Sequence, residues 1–229
     1  MCFNSISSLS AFTFGTLCSM ILFYKSHYFY ALFSFSIVIM QLSEYFAHIS
    51  LVTKNKHLNN LASKSIYLIL FLQPIIYTVC LIILPPDQIQ FLYPNSINQV
   101  YIPLLLIYIT LIAYYYNYLN RKDLFYTTYF FDNCKHICRL NWNFLNTKPL
   151  LIGLFVIIYF IFFLLFSYKD SNRQITFLNH FNSIVLLLSL IYIILIGRNK
   201  PIKKIFTTFG SLWCFLCVFY GLILLITLP

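Results

Sequence analysis

The chain has 229 residues, of which 61% are hydrophobic and only 9% are charged. An ordinary soluble domain carries about a quarter charged residues, so a water-soluble fold of this size is excluded for lack of polar side chains to cover its surface. The net charge of +10 does not indicate nucleic-acid binding, because the basic residues are scattered in short loops instead of sharing one face. We therefore predict one integral membrane domain, residues 1–229, with the lipid bilayer as its main partner and no nucleic acid.

Seven apolar segments follow one another along the chain, each about as long as the 20 residues that a helix needs to cross a bilayer. They comprise residues 5–24, 28–52, 58–84, 97–119, 149–168, 175–197 and 202–228. None shows the period-two alternation that is typical of strands. The first has no basic stretch before it and no Ala-x-Ala type of cleavage site, so we expect a retained helix and not a signal peptide. The predicted fold is all-α, a bundle of seven transmembrane helices.

Basic residues in the loops predict the orientation of this bundle. Twelve of the fifteen Lys and Arg residues belong to the connections after the second, fourth and sixth predicted helices, and only Lys25, Lys169 and Arg173 belong to the other side. Since positive charge is retained in the cytoplasm, the N-terminus is predicted to be cytoplasmic and the C-terminus outside. The long connection 120–148 mixes aromatic and basic residues. It is predicted to be an interfacial loop, with aromatics at headgroup depth and bases toward anionic lipid headgroups.

Polar residues inside the second predicted helix form the main candidate site. Glu44 is the only glutamate of the chain, and at 100° per residue Gln41, Glu44 and His48 fall on one stripe of the helix. Ionisable side chains in hydrocarbon are costly, so this stripe is expected to face other helices or water and not lipid. A buried carboxyl beside a histidine suits the handling of protons or cations. A structural clamp between helices would explain the same residues.

The third predicted helix offers two further sets of polar residues. Gln73 precedes Pro74 close to mid-membrane, where proline frees a backbone carbonyl and kinks a helix. Asn59 and Asn60 lie at the start of the helix, at a depth that could meet His48. Capping of the helix start explains the two asparagines equally well.

In the seventh predicted helix, Ser211 follows a glycine and lies at nearly the depth of Glu44, if both helices run as assigned. Small residues of this kind let helices approach closely. The candidate intramembrane binding site therefore comprises Gln41, Glu44, His48, Gln73 and Ser211. No metal is expected, because the Cys and His residues of 134–138 lack a second pair of ligands nearby. No cofactor is expected either, and the absence of lysine after Lys204 removes the attachment point for retinal.

Three short motifs are spread over most of the chain. They are Met40-Gln41-x-x-Glu44-Tyr45-Phe46, Leu72-Gln73-Pro74 and Gly210-Ser211-Leu212-Trp213-Cys214. Together they resemble an uncharacterised family of seven-transmembrane-helix proteins carried by giant (nucleocytoplasmic large DNA) viruses and their relatives. The resemblance implies the topology, and a host internal membrane or a virion membrane as the location, but it implies no activity. His48 departs from the aromatic residue expected at its position, so the Glu44–His48 pair is particular to this chain.

Three functions are compatible with these residues. A small channel, transporter or proton-coupled protein would use Glu44 and the polar side chains around it to line an internal path, and this is the leading prediction. An intramembrane enzyme acting on a lipid would use Glu44 and His48 as acid and base, with Ser63 or Ser211 as nucleophile. A structural or partner-recruiting protein of a viral or organellar membrane would need no site. Oligomerisation is compatible with all three.

Overall fold

The structure, a computed structural model, describes residues 4–83, 102–129, 140–165, 191 and 221–226. In chain order it contains helices α1 (Ser5–Tyr24), α2 (Tyr28–Val52), α3 (Lys56–Ile83) and α4 (Ile102–Arg121), strands β1 (Thr127–Tyr129) and β2 (Leu140–Trp142), and helices α5 (Phe144–Thr147) and α6 (Pro149–Leu165). Residues 221–226 are also helical. Helices α1 to α4 are long and apolar enough to cross a membrane. The predicted membrane-embedded helical bundle is thus confirmed, whereas seven spans and their orientation stay predictions.

Side-chain caps explain where α1 and α3 begin. Asn4 accepts a hydrogen bond from the Ser7 amide at 2.7 Å, and the Ser7 hydroxyl accepts one from the Asn4 amide at 3.2 Å, so the two residues form a capping box. Asn55 accepts a hydrogen bond from the amide of Leu58 at 3.0 Å. Helix α3 consequently begins at Lys56, before its predicted start at residue 58, and it continues through Pro74.

The fourth and fifth predicted spans correspond to α4 and α6. Helix α4 comprises Ile102–Arg121 where residues 97–119 were predicted, and residues 97–101 lie outside the described part of the chain. Helix α6 begins at Pro149, as in the predicted segment 149–168. The predicted segments 175–197 and 202–228 lie mostly outside the described residues.

Helices α1 and α2 form a tight antiparallel pair. A Cβ atom on Gly15 would lie only 2.4 Å from Cγ2 of Val38, so the side chain of Val38 packs against the backbone of α1 at a point where only glycine fits. The buried hydroxyls of Ser19 and Ser34 are hydrogen-bonded at 2.9 Å. In a bilayer the hydrophobic effect does not drive helices to associate, because lipid tails are as apolar as the side chains. Close packing of small residues and interhelical hydrogen bonds hold the helices together instead. A serine pair and a glycine therefore fasten these two helices.

Two contacts fix the register of α2 against α3. At one end the rings of Phe33 and Tyr77 lie 4.9 Å apart between centroids. At the other end Asn59 Nδ2 donates to the hydroxyl of Ser50 at 3.0 Å. Since the residue numbers rise on one helix as they fall on the other, α2 and α3 are antiparallel along their shared length.

Aromatic side chains join α3 to the later elements. The Tyr67 hydroxyl donates to the carbonyl of Ile112 in α4 at 2.8 Å, and the Tyr67 ring contacts Phe125 and Phe144, each at 5.5 Å between centroids. Phe71 of α3 contacts the α6 ring of Phe155 at 4.5 Å. Helix α3 thus packs against α2 along one face and against α4 and α6 along others.

A β-hairpin occupies part of the connection 120–148. Strands β1 and β2 are antiparallel, and the paired residues are Thr127 with Trp142, Thr128 with Asn141, and Tyr129 with Leu140. Directly opposed side chains point to the same face of a sheet, and successive ones alternate. Thr127, Trp142 and Leu140 are accordingly buried against the helices, whereas Thr128 is exposed. The sequence analysis predicted no strand in this connection and missed both, whereas its interfacial position stays a prediction.

The aromatic residues of this connection are divided between the protein interior and its surface. Phe125, Trp142 and Phe144 are buried within the protein, and their position at headgroup depth stays a prediction. The rings of Trp142 and Phe144 are stacked, with centroids 6.0 Å apart. Tyr126, by contrast, is 42% exposed. These side chains turn inward because the aromatic surface of α3 and α4 offers them protein contacts.

Candidate functional site

The stripe predicted on α2 is buried inside the bundle. Gln41 and Glu44 are 0% exposed and His48 is 2% exposed, while Phe46 on another face of the same helix is 41% exposed. Gln73 of α3 is also 0% exposed. These four residues, named the polar row below, therefore face neighbouring helices. Ser211, the fifth predicted site residue, lies outside the described residues.

The register of the two helices extends the polar row along their axis. Phe33 lies opposite Tyr77, so Gln73, one turn earlier on α3, lies level with about residue 37 of α2. At 1.5 Å per residue, this level is about 6 Å beyond Gln41 and about 10 Å beyond Glu44. Gln73 and Glu44 consequently occupy different depths. The polar row is elongated and does not surround a single point.

A hydrogen-bonded cluster continues the polar row beyond His48. It consists of four buried residues, Ser50, Asn59, Ser63 and Thr127, at the junction of α2, α3 and β1. Asn59 Nδ2 donates to the Thr127 carbonyl at 3.1 Å, and Asn59 Oδ1 accepts from the Thr127 amide at 2.8 Å. The side chain of Asn59 thereby pairs with β1 as a neighbouring strand would, which satisfies both backbone groups of Thr127.

Hydroxyl groups complete this cluster. Ser63 and Thr127 are hydrogen-bonded through their hydroxyls at 2.9 Å. Ser50 accepts from Asn59 and donates to the carbonyl of Ala47 at 2.6 Å. From the level of Ser50 to that of Gln73, the polar row and the cluster together extend about 20 Å at 1.5 Å per residue. This length is about two thirds of the 30 Å hydrocarbon thickness of a bilayer.

The asparagines at the start of α3 have a different role from the predicted cap. Asn55 provides the cap, Asn59 holds β1, and Asn60 Nδ2 donates to the Phe125 carbonyl at 3.1 Å. Asparagine inside a helix is uncommon, because its side chain competes for backbone hydrogen bonds. Asn59 and Asn60 follow a helix start that Asn55 already caps. Their presence was therefore the one sequence feature that could have predicted hydrogen bonds from this helix to another part of the chain. No sequence signal identified Thr127 as that partner.

His48 lies at the end of the polar row that faces the hairpin. Its imidazole ring and the phenol ring of Tyr129 have centroids 5.9 Å apart. Burial raises the pKa of Tyr129 above its usual value, because the ionised phenolate would lose hydration. Tyr129 therefore stands beside His48 as a neutral phenol at physiological pH.

The surroundings of Ser63 bear on the lipid-enzyme alternative. Among the described residues, the hydrogen bond of the Ser63 hydroxyl goes to the hydroxyl of Thr127. A serine nucleophile requires a base within hydrogen-bonding distance, and threonine cannot act as one. The part of the chain that the structure describes also contains no group of three or more His, Cys, Asp or Glu residues that could hold a metal ion. The polar row instead offers a carboxyl, an imidazole and two amides.

The chain was compared with known protein families and with curated proteins. Neither the models of known protein families nor the curated proteins give a match to this chain. The resemblance of its three motifs to the giant-virus family consequently stays a prediction.

Proposed function

We propose that the protein is a small proton-coupled channel or transporter, in which the polar row between α2 and α3 is the path and Glu44 binds the proton. The observation that supports this proposal is the complete burial of Glu44 within a row of polar side chains. Glu44 is the only acidic residue in any of the seven predicted spans. The one carboxylic acid of the predicted spans therefore has buried polar side chains on both sides of it, Gln41 and Gln73 on one side and His48 on the other.

A purely structural role explains the burial of Glu44 less well than proton binding does. A carboxyl group within the bilayer costs several kcal/mol, and helices can be joined by neutral groups at lower cost. This chain uses such groups between α1 and α2, where the hydroxyls of Ser19 and Ser34 are hydrogen-bonded at 2.9 Å. A carboxyl group between α2 and α3 is thus better explained by proton binding than by helix fastening.

His48 is suited to pass protons between Glu44 and the end of the row. It lies one turn along α2 from Glu44, and histidine is the side chain whose ordinary pKa is closest to physiological pH. The basic residues near this end, Lys54 and Lys56 among them, predict that it lies on the cytoplasmic side. In this proposal protons exchange with the cytoplasm through His48.

Proton flux through liposomes tests the proposal. The full chain is reconstituted with a pH-sensitive dye inside, and flux is driven by a potassium diffusion potential with valinomycin. Glu44→Gln keeps the shape of the side chain but removes its acid. We expect this variant to lower the flux by about a hundredfold, a typical loss when a positioned proton-transfer group is removed.

Asp123→Asn is the matched control, since Asp123 is an exposed carboxylate outside the spans. Its φ of 50° is also well tolerated by asparagine. The control is expected to conduct like the wild type. Equal flux in Glu44→Gln and the wild type, or wild-type flux no greater than that of protein-free liposomes, would overturn the proposal. Wild-type flux no greater than that of protein-free liposomes would favour a structural role for the protein.

A further inference from the structure

We infer that Lys148, together with the rings of Tyr114 and Tyr118, forms a binding site for the phosphate group of an anionic phospholipid. The site lies between the end of α4 and the beginning of α6. The polar row lies between α2 and α3, so this inference does not depend on the proposed function. It assigns a bound lipid to one place, whereas the loop charges predict only a general attraction to anionic headgroups.

Contacts between α4 and α6 bring Lys148 to the last turns of α4. The hydroxyl of Tyr115 is hydrogen-bonded to the hydroxyl of Thr147 at 2.7 Å, just before α6 begins. Further along α6, the ring of Phe155 contacts that of Tyr108, two turns earlier in α4, at 5.8 Å between centroids. The two helices are therefore antiparallel, and the beginning of α6 lies beside the end of α4.

The ammonium group of Lys148 is held against two aromatic rings of α4. Its Nζ atom lies 4.0 Å from the ring centroid of Tyr118 and 5.6 Å from that of Tyr114. A cation at these distances is attracted electrostatically by the face of the ring. The ring of Tyr118 is in turn stacked on that of Tyr115, with centroids 6.2 Å apart. The ammonium is therefore positioned by rings that are themselves packed in place.

The two rings also define the depth of this charge along α4. Tyr114 and Tyr118 lie one turn apart on the same face, seven and three residues before Arg121, the last residue of the helix. At 1.5 Å per residue, the ammonium consequently lies about 5–10 Å inside the end of α4. Helix α4 is long and apolar enough to cross a membrane, so the charge lies near the predicted edge of the hydrocarbon.

A charge at this depth requires a counter-ion, because an unpaired ammonium is costly in hydrocarbon. The part of the chain that the structure describes contains two carboxylates, Glu44 of the polar row and the exposed Asp123, and neither forms an ion pair with Lys148. Tyr114 is 57% exposed, so the site is open to lipid. A lipid phosphate is the anion that a bilayer supplies at this depth, and lysine is a common phosphate ligand.

The surface around the site matches an anionic lipid and not a free phosphate ion. Arg121 and Lys122 are exposed at the end of α4, and with Lys148 they outnumber the single carboxylate there. In the other direction, Ile107 is 55% exposed and lies two turns before Tyr114 on the same face of α4. The headgroup would thus contact positive charge while an acyl chain contacts apolar side chains.

Native mass spectrometry of the full chain in a neutral detergent tests the site. The dissociation constant of the first bound lipid is measured, and phosphatidylglycerol is expected to bind about tenfold more tightly than phosphatidylcholine. Lys148→Gln should weaken the binding of phosphatidylglycerol about tenfold, because one contact between a charge and the phosphate is lost. Lys56→Gln, at an exposed position of α3, is the matched control and should leave the dissociation constant unchanged.

Variants of Tyr118 keep the lysine and test how its ammonium is positioned. Tyr118→Leu removes the aromatic face and should weaken the binding of phosphatidylglycerol about two- to fivefold. Tyr118→Phe keeps an aromatic ring and should bind like the wild type. Equal dissociation constants in Tyr118→Leu and Tyr118→Phe would overturn the role of the ring, whether or not Lys148→Gln folds.

Three other results would overturn the site itself. One is equal affinity of the wild type for the two lipids, and another is an equal loss of affinity in Lys148→Gln and Lys56→Gln, which indicates only general attraction. The third is displacement of the lipid by inorganic phosphate at constant ionic strength, which identifies a free ion as the ligand. None of these measurements involves proton flux, so failure of this inference is distinguished from failure of the proposed function.

Discussion

Replacing Asn59 with alanine is expected to detach strand β1 from helix α3. The substitution removes the donor 3.1 Å from the Thr127 carbonyl and the acceptor 2.8 Å from the Thr127 amide. A buried polar group left without its partner costs about 1–3 kcal/mol, so the two groups together cost about 2–6 kcal/mol. We expect about 3 kcal/mol, since hydration of the detached strand offsets part of the loss. Ser50 retains its hydrogen bond to Ala47 and adds little.

The free energy of unfolding can be measured by titration with a denaturing detergent in mixed micelles, followed by far-ultraviolet circular dichroism. Asn60→Ala is the matched control, because it removes a single hydrogen bond, to the carbonyl of Phe125 at 3.1 Å. Its expected cost is about 1 kcal/mol. If Asn59→Ala costs no more than Asn60→Ala, then Asn59 is not the main polar attachment of the hairpin and the reasoning is refuted.

Two further predictions concern packing and pH. Gly15→Ala places a Cβ against the stiff side chain of Val38 and should destabilise the protein by about 1–3 kcal/mol. Adding Val38→Ala to the same chain should restore most of the lost thermal midpoint. A double variant that is no more stable than Gly15→Ala would contradict this. Because burial raises the pKa of Tyr129 in the folded state, its contribution to stability is complete below about pH 10 and declines as the pH rises further. The thermal midpoint should therefore fall less steeply above about pH 10 in Tyr129→Phe than in the wild type, and parallel slopes would count against the shift.

Hydropathy and helical periodicity are local properties, and they suffice for much of the bundle. Helices α1 and α2 begin and end at the residues where the apolar segments do. The stripe of Gln41, Glu44 and His48 is buried, as the cost of polar groups in hydrocarbon requires. Each of these features depends on whether one segment, or one face of it, is more stable in hydrocarbon, in water or against protein. The residues of that segment alone are enough to predict this.

The pairing of segments was decided only by the tertiary structure. The level of Gln73 depends on the register set by Phe33 against Tyr77, which no property of either helix alone reveals. Strands of three residues are too short to show a period, so the hairpin and its inward aromatics escaped prediction. Asn59 and Thr127 are 68 residues apart in sequence, and their reciprocal hydrogen bonds arise because packing of α3 beside the hairpin leaves a backbone amide and carbonyl for the asparagine to satisfy. The sequence by itself determined that the polar stripe of α2 must be buried, whereas its partners and the burial of the hairpin aromatics were determined by how the folded elements fit together.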